Sequence, residues 1–193
     1  NLKKGFFPQS LKILHINNCV LKEIQPDFWE SLPNIETVTL KNNDVLHSIG
    51  DLSCCTKLNY LDVSGNNFLE SIKNKKLVLP SSIEVIDLSH CSINYIRPDF
   101  FRGLSNLKEI DLRGNQLEKL SIDLRDCVNL VTLNLTQNLL SYINKYTFKF
   151  PVENSLEELF LDHNNLKSIE EDVFSNLKNL KSLHLSCNSF VKL

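Results

Sequence analysis

The sequence holds no methionine and only 5 glycines in 193 residues, and no apolar stretch approaches the ~20 residues that a membrane-spanning helix needs. Any contact with a membrane is therefore expected only through segments absent from this chain. G-x-S-x-G, a Walker loop and H-E-x-x-H are all missing. Charge of either sign is not in excess: 21 Lys plus Arg stand against 23 Asp plus Glu, a net charge of −2. No long-range field is expected to gather nucleic acid or an anionic membrane. Carboxylate pairs such as Glu157-Glu158 and Glu170-Glu171 are consecutive, so on a strand they face opposite ways and form no catalytic dyad. His15, His90, His163 and His184 are scattered, no H-x-x-x-H or C-x-x-C spacing occurs, and adjacent Cys54-Cys55 is not a metal knuckle. These absences predict a chain that is not an enzyme and needs neither metal nor cofactor.

What the sequence has is a repeat. The pattern L-x-x-L-x-L-x-x-N-x-L begins at Leu11, Ile35, Leu58, Ile83, Leu107, Leu130, Leu156 and Leu180, starts that lie 23 to 26 residues apart. The L-x-L core alternates with period two and predicts a short strand, whereas the return segment is too short and variable for a long helix. The expected fold is α/β: a curved solenoid occupying residues 1–193 as one domain of about eight repeats. A parallel sheet lines its concave face, and short irregular, helical or extended segments form its convex side. One coil cannot bury its own leucines; stacking places them in a continuous column.

Asn43, Asn66, Asn115, Asn138, Asn164 and Asn188 stand where the chain leaves the strand, so their amides are expected to bond backbone groups that the sheet leaves unpaired. Cys19 and Cys91 take that slot in the first and fourth copies, where a small buried thiol is expected to substitute. Cys55 and Cys127 stand where Leu32, Leu104 and Leu177 stand in other copies and read as core fillers. Three repeats separate Cys19 from Cys91, about 14 Å at ~4.8 Å per strand. That exceeds bridging range, and mostly free thiols are expected.

A longer period overlies the repeat. Phe7-Pro8-Gln9-Ser10, Leu79-Pro80-Ser81-Ser82 and Phe150-Pro151 precede the first, fourth and seventh copies. Those copies continue with Pro26-Asp27-Phe28-Trp29, Pro98-Asp99-Phe100-Phe101 and Glu171-Asp172-Val173-Phe174, which predict an aromatic spine on the convex side. The chain is identified as a leucine-rich-repeat protein, and this triple super-motif resembles that of Toll-like receptor ectodomains; small matrix proteoglycans share a similar periodicity. The resemblance implies the extracellular or lumenal part of an innate immune receptor. Such a part would recognise a protein or pathogen-derived ligand and signal by dimerising, as a fragment without caps, incomplete at both ends. A secreted or matrix adhesion protein without signalling is the alternative it leaves open.

Within the strand motif, the residue between the last two apolar positions points to the concave face, giving the row His15, Thr39, Asp62, Asp87, Asp111, Asn134, Phe160, His184. Asp62, Asp87 and Asp111 read as an acidic stripe for a basic partner, with Tyr60 and Phe160 as anchors and Arg113, Asp162 and His184 beside them. Against this, L-D-L is the commonest wording of the repeat, and Asp there is usually only a solvated strand residue. Asn134-Leu135-Thr136 is the one N-glycosylation acceptor, and a sugar on Asn134 would obstruct the sheet face.

Overall fold

A computed structural model describes residues 1–68, 72–74 and 77–191. Twelve short strands occur among them. Eight have three residues each: β1 (Ile13–His15), β2 (Thr37–Thr39), β3 (Tyr60–Asp62), β4 (Val85–Asp87), β5 (Glu109–Asp111), β7 (Thr132–Asn134), β10 (Glu158–Phe160) and β12 (Ser182–His184). The other four are two-residue strands, β6 (Ile122–Asp123), β8 (Tyr142–Ile143), β9 (Phe148–Lys149) and β11 (Ser168–Ile169). The eight longer strands form one parallel sheet in the order β1-β2-β3-β4-β5-β7-β10-β12, one strand per predicted repeat. Pairing is in register throughout: Leu14, Val38, Leu61, Ile86, Ile110, Leu133, Leu159 and Leu183 lie side by side. These middle residues point beneath the sheet and are buried, save Leu183 on the last strand.

The asparagine ladder is present in full. In six coils, Asn Nδ2 donates to a carbonyl of its own coil and to one of the preceding coil, while Oδ1 accepts a backbone N–H from the preceding coil. Asn138 donates to Leu135 O (3.1 Å) and Leu112 O (3.0 Å) and accepts from Leu117 N (3.1 Å). Asn164 repeats this with Leu161 O, Leu135 O and Leu140 N. Cys91 supplies half of it. Its thiol donates to Val63 O (3.2 Å) and Ser89 O (3.3 Å), but it has no second side-chain atom to accept. The N–H that an asparagine would have taken, that of Phe68, turns to Cys91 O instead, at 3.3 Å. Cys19 departs from the expectation. It is exposed, and its thiol donates to Asn17 O within its own coil (3.2 Å).

The residue before each ladder position has positive φ in all eight coils: Asn18, Asn42, Gly65, His90, Gly114, Gln137, His163 and Cys187, between 50° and 67°. Here the strand turns sharply into the ladder, a left-handed conformation that costs most residues ~1–2 kcal/mol. Gly114 also lies against its neighbour: a Cβ there would meet His90 Nδ1 at 2.2 Å. A second ladder runs along the residues just before each repeat start. Asn34, Asn106 and Asn129 donate Nδ2 to carbonyls of the preceding coil (Gln9, Ser81, Ser105), and the Ser82 and Ser155 hydroxyls do the same to Leu58 and Val128.

On the convex side, β6 pairs with β9 and β8 with β11 in two small parallel ladders, and a 3-10 turn occupies Trp29–Ser31. The aromatic spine forms as edge-to-face pairs, Phe28 on Trp29 (4.9 Å, 74°) and Phe100 on Phe101 (4.9 Å, 81°). Trp29 Nε1 donates to Ile49 O (2.6 Å), satisfying the one polar atom of a buried indole. Val173 and Phe174 are only partly buried. Cys55 and Cys127 fill the core as expected, and burial pushes both thiols up to about 12, as it does Cys91. All six cysteines are free.

Candidate ligand-binding surface

The sheet sets out three rows of side chains on its concave face. The last strand residues form the row expected from the sequence, from His15 through Thr39, Asp62, Asp87, Asp111, Asn134 and Phe160 to His184. The first strand residues, among them Tyr60, Glu109, Thr132 and Glu158, form a second row. Arg113 and Asp162 stand two residues beyond the strands, in a third.

The acids of the first row have a local task. Asp62 Oδ1 accepts the backbone N–H of Ser64 (3.1 Å), Asp87 Oδ1 that of Ser89 (2.8 Å) and Asp111 Oδ1 that of Arg113 (2.8 Å). Asn134 Oδ1 does the same for Thr136, at 3.0 Å. Each closes the turn that leaves the strand, which explains the recurrence of Asp or Asn in this row. Closing the turn uses one oxygen and leaves the other.

What happens to the second oxygen divides the stripe. The Asp62 side chain is fully withdrawn from solvent, with Lys41 Nζ 2.7 Å from Oδ2. The carboxylate in turn raises the Lys41 pKa. Asp62 is therefore not part of an exposed stripe. A polar network extends from it toward the first coil: Asn17 Oδ1 accepts Lys41 N–H (2.8 Å), while Asn17 Nδ2 (2.9 Å) and His15 Nδ1 (2.7 Å) both meet Thr39 Oγ1.

Further along, the acids face one another. Burial, then Asp111, Asp87 and Glu158, push the Glu109 carboxyl up. Asp111 is also raised, by burial first and by Asp87; the Arg113 N–H and guanidinium oppose the shift. Arg113 Nη2 forms a long ion pair with Asp111, 3.8 Å from Oδ2, and Asn134 Nδ2 lies at 3.5 Å from the same oxygen. Asp87, Glu109, Asp111 and Glu158 thus gather negative charge at the centre of the sheet. At the sheet's edge, by contrast, Lys12–Glu36, Lys108–Glu84 and Lys181–Glu157 pair across neighbouring coils at 2.7–2.8 Å.

Phe160 and His184, from adjacent strands, stack at 4.4 Å with an interplanar angle of 25°. His184 Nε2 meets Ser182 Oγ (2.9 Å), and its Nδ1 lies 3.8 Å from Asp162 Oδ2. Asp162 Oδ1 is occupied by the backbone N–H of Ser186 (2.7 Å). Phe160 is thereby half covered, and an aromatic pair borders the acidic centre. Tyr60 lies toward the other end of the sheet, half-buried beside Lys41 and Asp62. Sequence reasoning missed Lys41 and Asn17. The third row was visible in the spacing, but not which of its members folds back onto an acid.

The family description "Leucine rich repeat" matches residues 9–68, 81–140 and 154–193. Human "Leucine-rich repeats and immunoglobulin-like domains protein 1" is 31% identical over 183 residues, 93% of this chain and 16% of that protein. Lumican of Coturnix japonica is 28% identical over 188 residues, 94% of this chain and 52% of its own length. An adenylate cyclase of Schizosaccharomyces pombe is 36% identical over 186 residues, which amount to 10% of that much longer protein. Among solved structures, a chain from the crystal structure of a TLR13–ssRNA13 complex superposes with a TM-score of 0.80 at 26% identity, covering 95% of this chain and 26% of its own. The chain thus spans about half the length of lumican and far less of the others.

Proposed function

The chain belongs to the leucine-rich-repeat family and resembles the ectodomain of a Toll-like receptor, and on that premise we propose that it is the ligand-recognition part of such a receptor. The concave sheet would take a protein or pathogen-derived ligand with a basic surface, as part of an extracellular or lumenal region acting alone or in a receptor dimer. The observation that carries this reading is the central cluster of Asp87, Glu109, Asp111 and Glu158, where burial and the neighbouring acids raise Glu109 and Asp111 although Arg113 stands 3.8 Å from Asp111. A basic partner would relieve that repulsion. A polyanion would add to it, so although the TLR13 structure is of a complex with RNA, nucleic acid is not the ligand proposed for this sheet. Phe160 and His184 supply a flat anchor beside the charge, with Asp162, Arg113 and Tyr60 at its margins. The proposed activity is binding without catalysis. The match to lumican supports a second reading, a secreted or matrix adhesion module without signalling.

The test is binding of candidate ligands to the wild type and to the Asp87→Asn/Asp111→Asn double variant. Asparagine keeps the turn-closing oxygen, as Asn134 shows, and removes only charge. The protein is made in a bacterial host, because the change at Asp87 completes an Asn-Leu-Ser glycosylation acceptor. Affinity is expected to fall about tenfold, with a flatter salt dependence. Unchanged affinity places the ligand elsewhere. The sequence beyond Leu193 distinguishes the two readings: a spanning helix and signalling domain support the receptor, a stop codon the matrix protein.

A further inference from the structure

A second concave feature lies off the sheet. A cleft of about 590 Å³ opens on the flank where the chain descends from the ladder, over the fourth to sixth coils. It arises from unequal coil lengths: 23 residues separate Leu107 from Leu130, but 26 separate Leu130 from Leu156. The shorter coil runs directly from the ladder to β6. The longer one inserts a turn over Asn144–Thr147, closed by Asn144 Oδ1 accepting the Tyr146 N–H (2.8 Å), before reaching β9, the partner of β6. Ile96 and Leu120 form an apolar floor below that step.

The walls are aromatic. Tyr95, Tyr142 and Tyr146 are 46%, 46% and 63% exposed, a concentration of exposed aromatics found nowhere else among the described residues. Their phenol hydroxyls make no hydrogen bond within the described protein. Tyr95, Lys119 and Tyr142 each stand four residues past a ladder position (Cys91, Asn115, Asn138), so they form one row across three successive coils. Backbone bonds hold these coils together just before the row, Gln116 N to Ile93 O (2.8 Å) and Leu139 N to Leu117 O (3.0 Å). At ~4.8 Å per coil, Tyr95 and Tyr142 lie about 9.6 Å apart along the row.

That interval matches one turn of a polyproline II helix, three residues at ~3.1 Å each or ~9.3 Å. Such a segment leaves its carbonyls unpaired and ready to accept from phenol hydroxyls, and exposed aromatic grooves are a recurrent way to bind one. Charge refines the fit. Lys119, between the two rings, has no carboxylate partner among the described residues, and neighbouring Glu118 has no cation. The cleft therefore calls for an acid on the ligand opposite Lys119, and a base opposite Glu118. We propose that this cleft docks a proline-rich segment of a partner protein, two prolines three residues apart resting on Tyr95 and Tyr142 with an acidic residue between them at Lys119.

The test is fluorescence anisotropy of the whole chain with a fluorescein-labelled dodecapeptide carrying Arg-Pro-Glu-Ala-Pro in an alanine-serine background, against the same peptide with both prolines changed to alanine. Saturable one-to-one binding is expected of the first peptide only. Tyr95→Ala or Tyr142→Ala should each weaken it at least about tenfold, as loss of a tyrosine anchor does. Lys119→Glu should weaken it about fivefold and be rescued by a peptide with Lys in place of Glu. All three side chains are solvent-exposed, and circular dichroism melts matching wild type show that these variants fold. Binding by Asp87→Asn/Asp111→Asn should be unchanged, which separates this cleft from the sheet. Absence of saturable binding, equal binding of the alanine peptide, or indifference to both tyrosine changes overturns the proposal.

Discussion

Asp111 and Asp123 lie 12 residues apart in one coil and meet opposite fates. On the convex side, Arg125 grips Asp123 with two hydrogen bonds, Nε to Oδ1 (2.9 Å) and Nη2 to Oδ2 (2.7 Å), and Arg102 stands at 3.6 Å. These contacts, the Arg125 hydrogen bonds foremost, hold the Asp123 carboxyl well below the usual range. On the concave side, burial and neighbouring acids push Asp111 upward, and its only guanidinium is 3.8 Å away. One carboxylate serves the fold and the other is held against an adverse field. A surface that gathers like charge at its centre with Arg113 at 3.8 Å as its counter-charge on Asp111, while charges at its edge are paired across coils at 2.7–2.8 Å, has a local electrostatic cost that a partner can reduce.

The most damaging test of the comparison removes what both faces share. Leu133 lies buried beneath the sheet in the same column as Ile110 and Leu159, beneath the charged row. Leu133→Ala is expected to lower stability by about 2–5 kcal/mol, as truncation inside a packed column does. Urea denaturation provides the measurement. A wild-type midpoint would show that the coil below Asp111 is not packed as described, and the contrast between the faces would lose its rigid reference.

The parallel-sheet solenoid and the positions of its eight longer strands were legible because a solenoid writes its core as a period, and every copy independently reports it. The ladder was legible for the same reason, as were Cys55 and Cys127, which stand where other coils put leucine. Three things were not. Cys19 was expected to be buried like Cys91 but is exposed, because a shared slot in the period does not fix what packs against it. Asp62 looked identical to Asp87 and Asp111; only a lysine one coil earlier, Lys41, sets it apart, a side-chain choice that no period encodes. The flank cleft depends on a difference of three residues between consecutive coils, visible as a number but not as a shape until β6 and β9 are seen to pair.

A middle-sized effect separates the two carboxylates directly. Asp123→Asn should cost roughly 1–2 kcal/mol at neutral pH, modest because the outer faces of Arg102 and Arg125 meet water. Its folded pKa is depressed, so the stabilisation is present above the unfolded carboxylate value near ~3.9 and disappears as pH falls through the folded value. Wild type and variant should therefore converge in thermal melts taken at progressively lower pH below 4. A constant gap across that range would mean that the Arg125 contacts do not depend on the charge of Asp123.

The smallest effect has the opposite sign. Asp111→Asn keeps the oxygen that accepts the Arg113 N–H and deletes the charge that Asp87 and Glu109 repel, so its stability at pH 7 should lie within about 0.5 kcal/mol of wild type, on the stabilising side. Because the folded pKa of Asp111 is raised, the folded chain holds its proton after the unfolded chain has released it. The wild type therefore loses stability as pH rises from the unfolded value through the folded one, and the advantage of Asp111→Asn should be absent below pH 4 and complete at neutral pH. Glu109, raised by the same neighbours, should fall toward the ordinary carboxylate range in the variant, which side-chain NMR titration can follow. If Glu109 does not move, the acids at the centre of the sheet are not coupled, and the field assigned to a basic ligand is carried by burial alone.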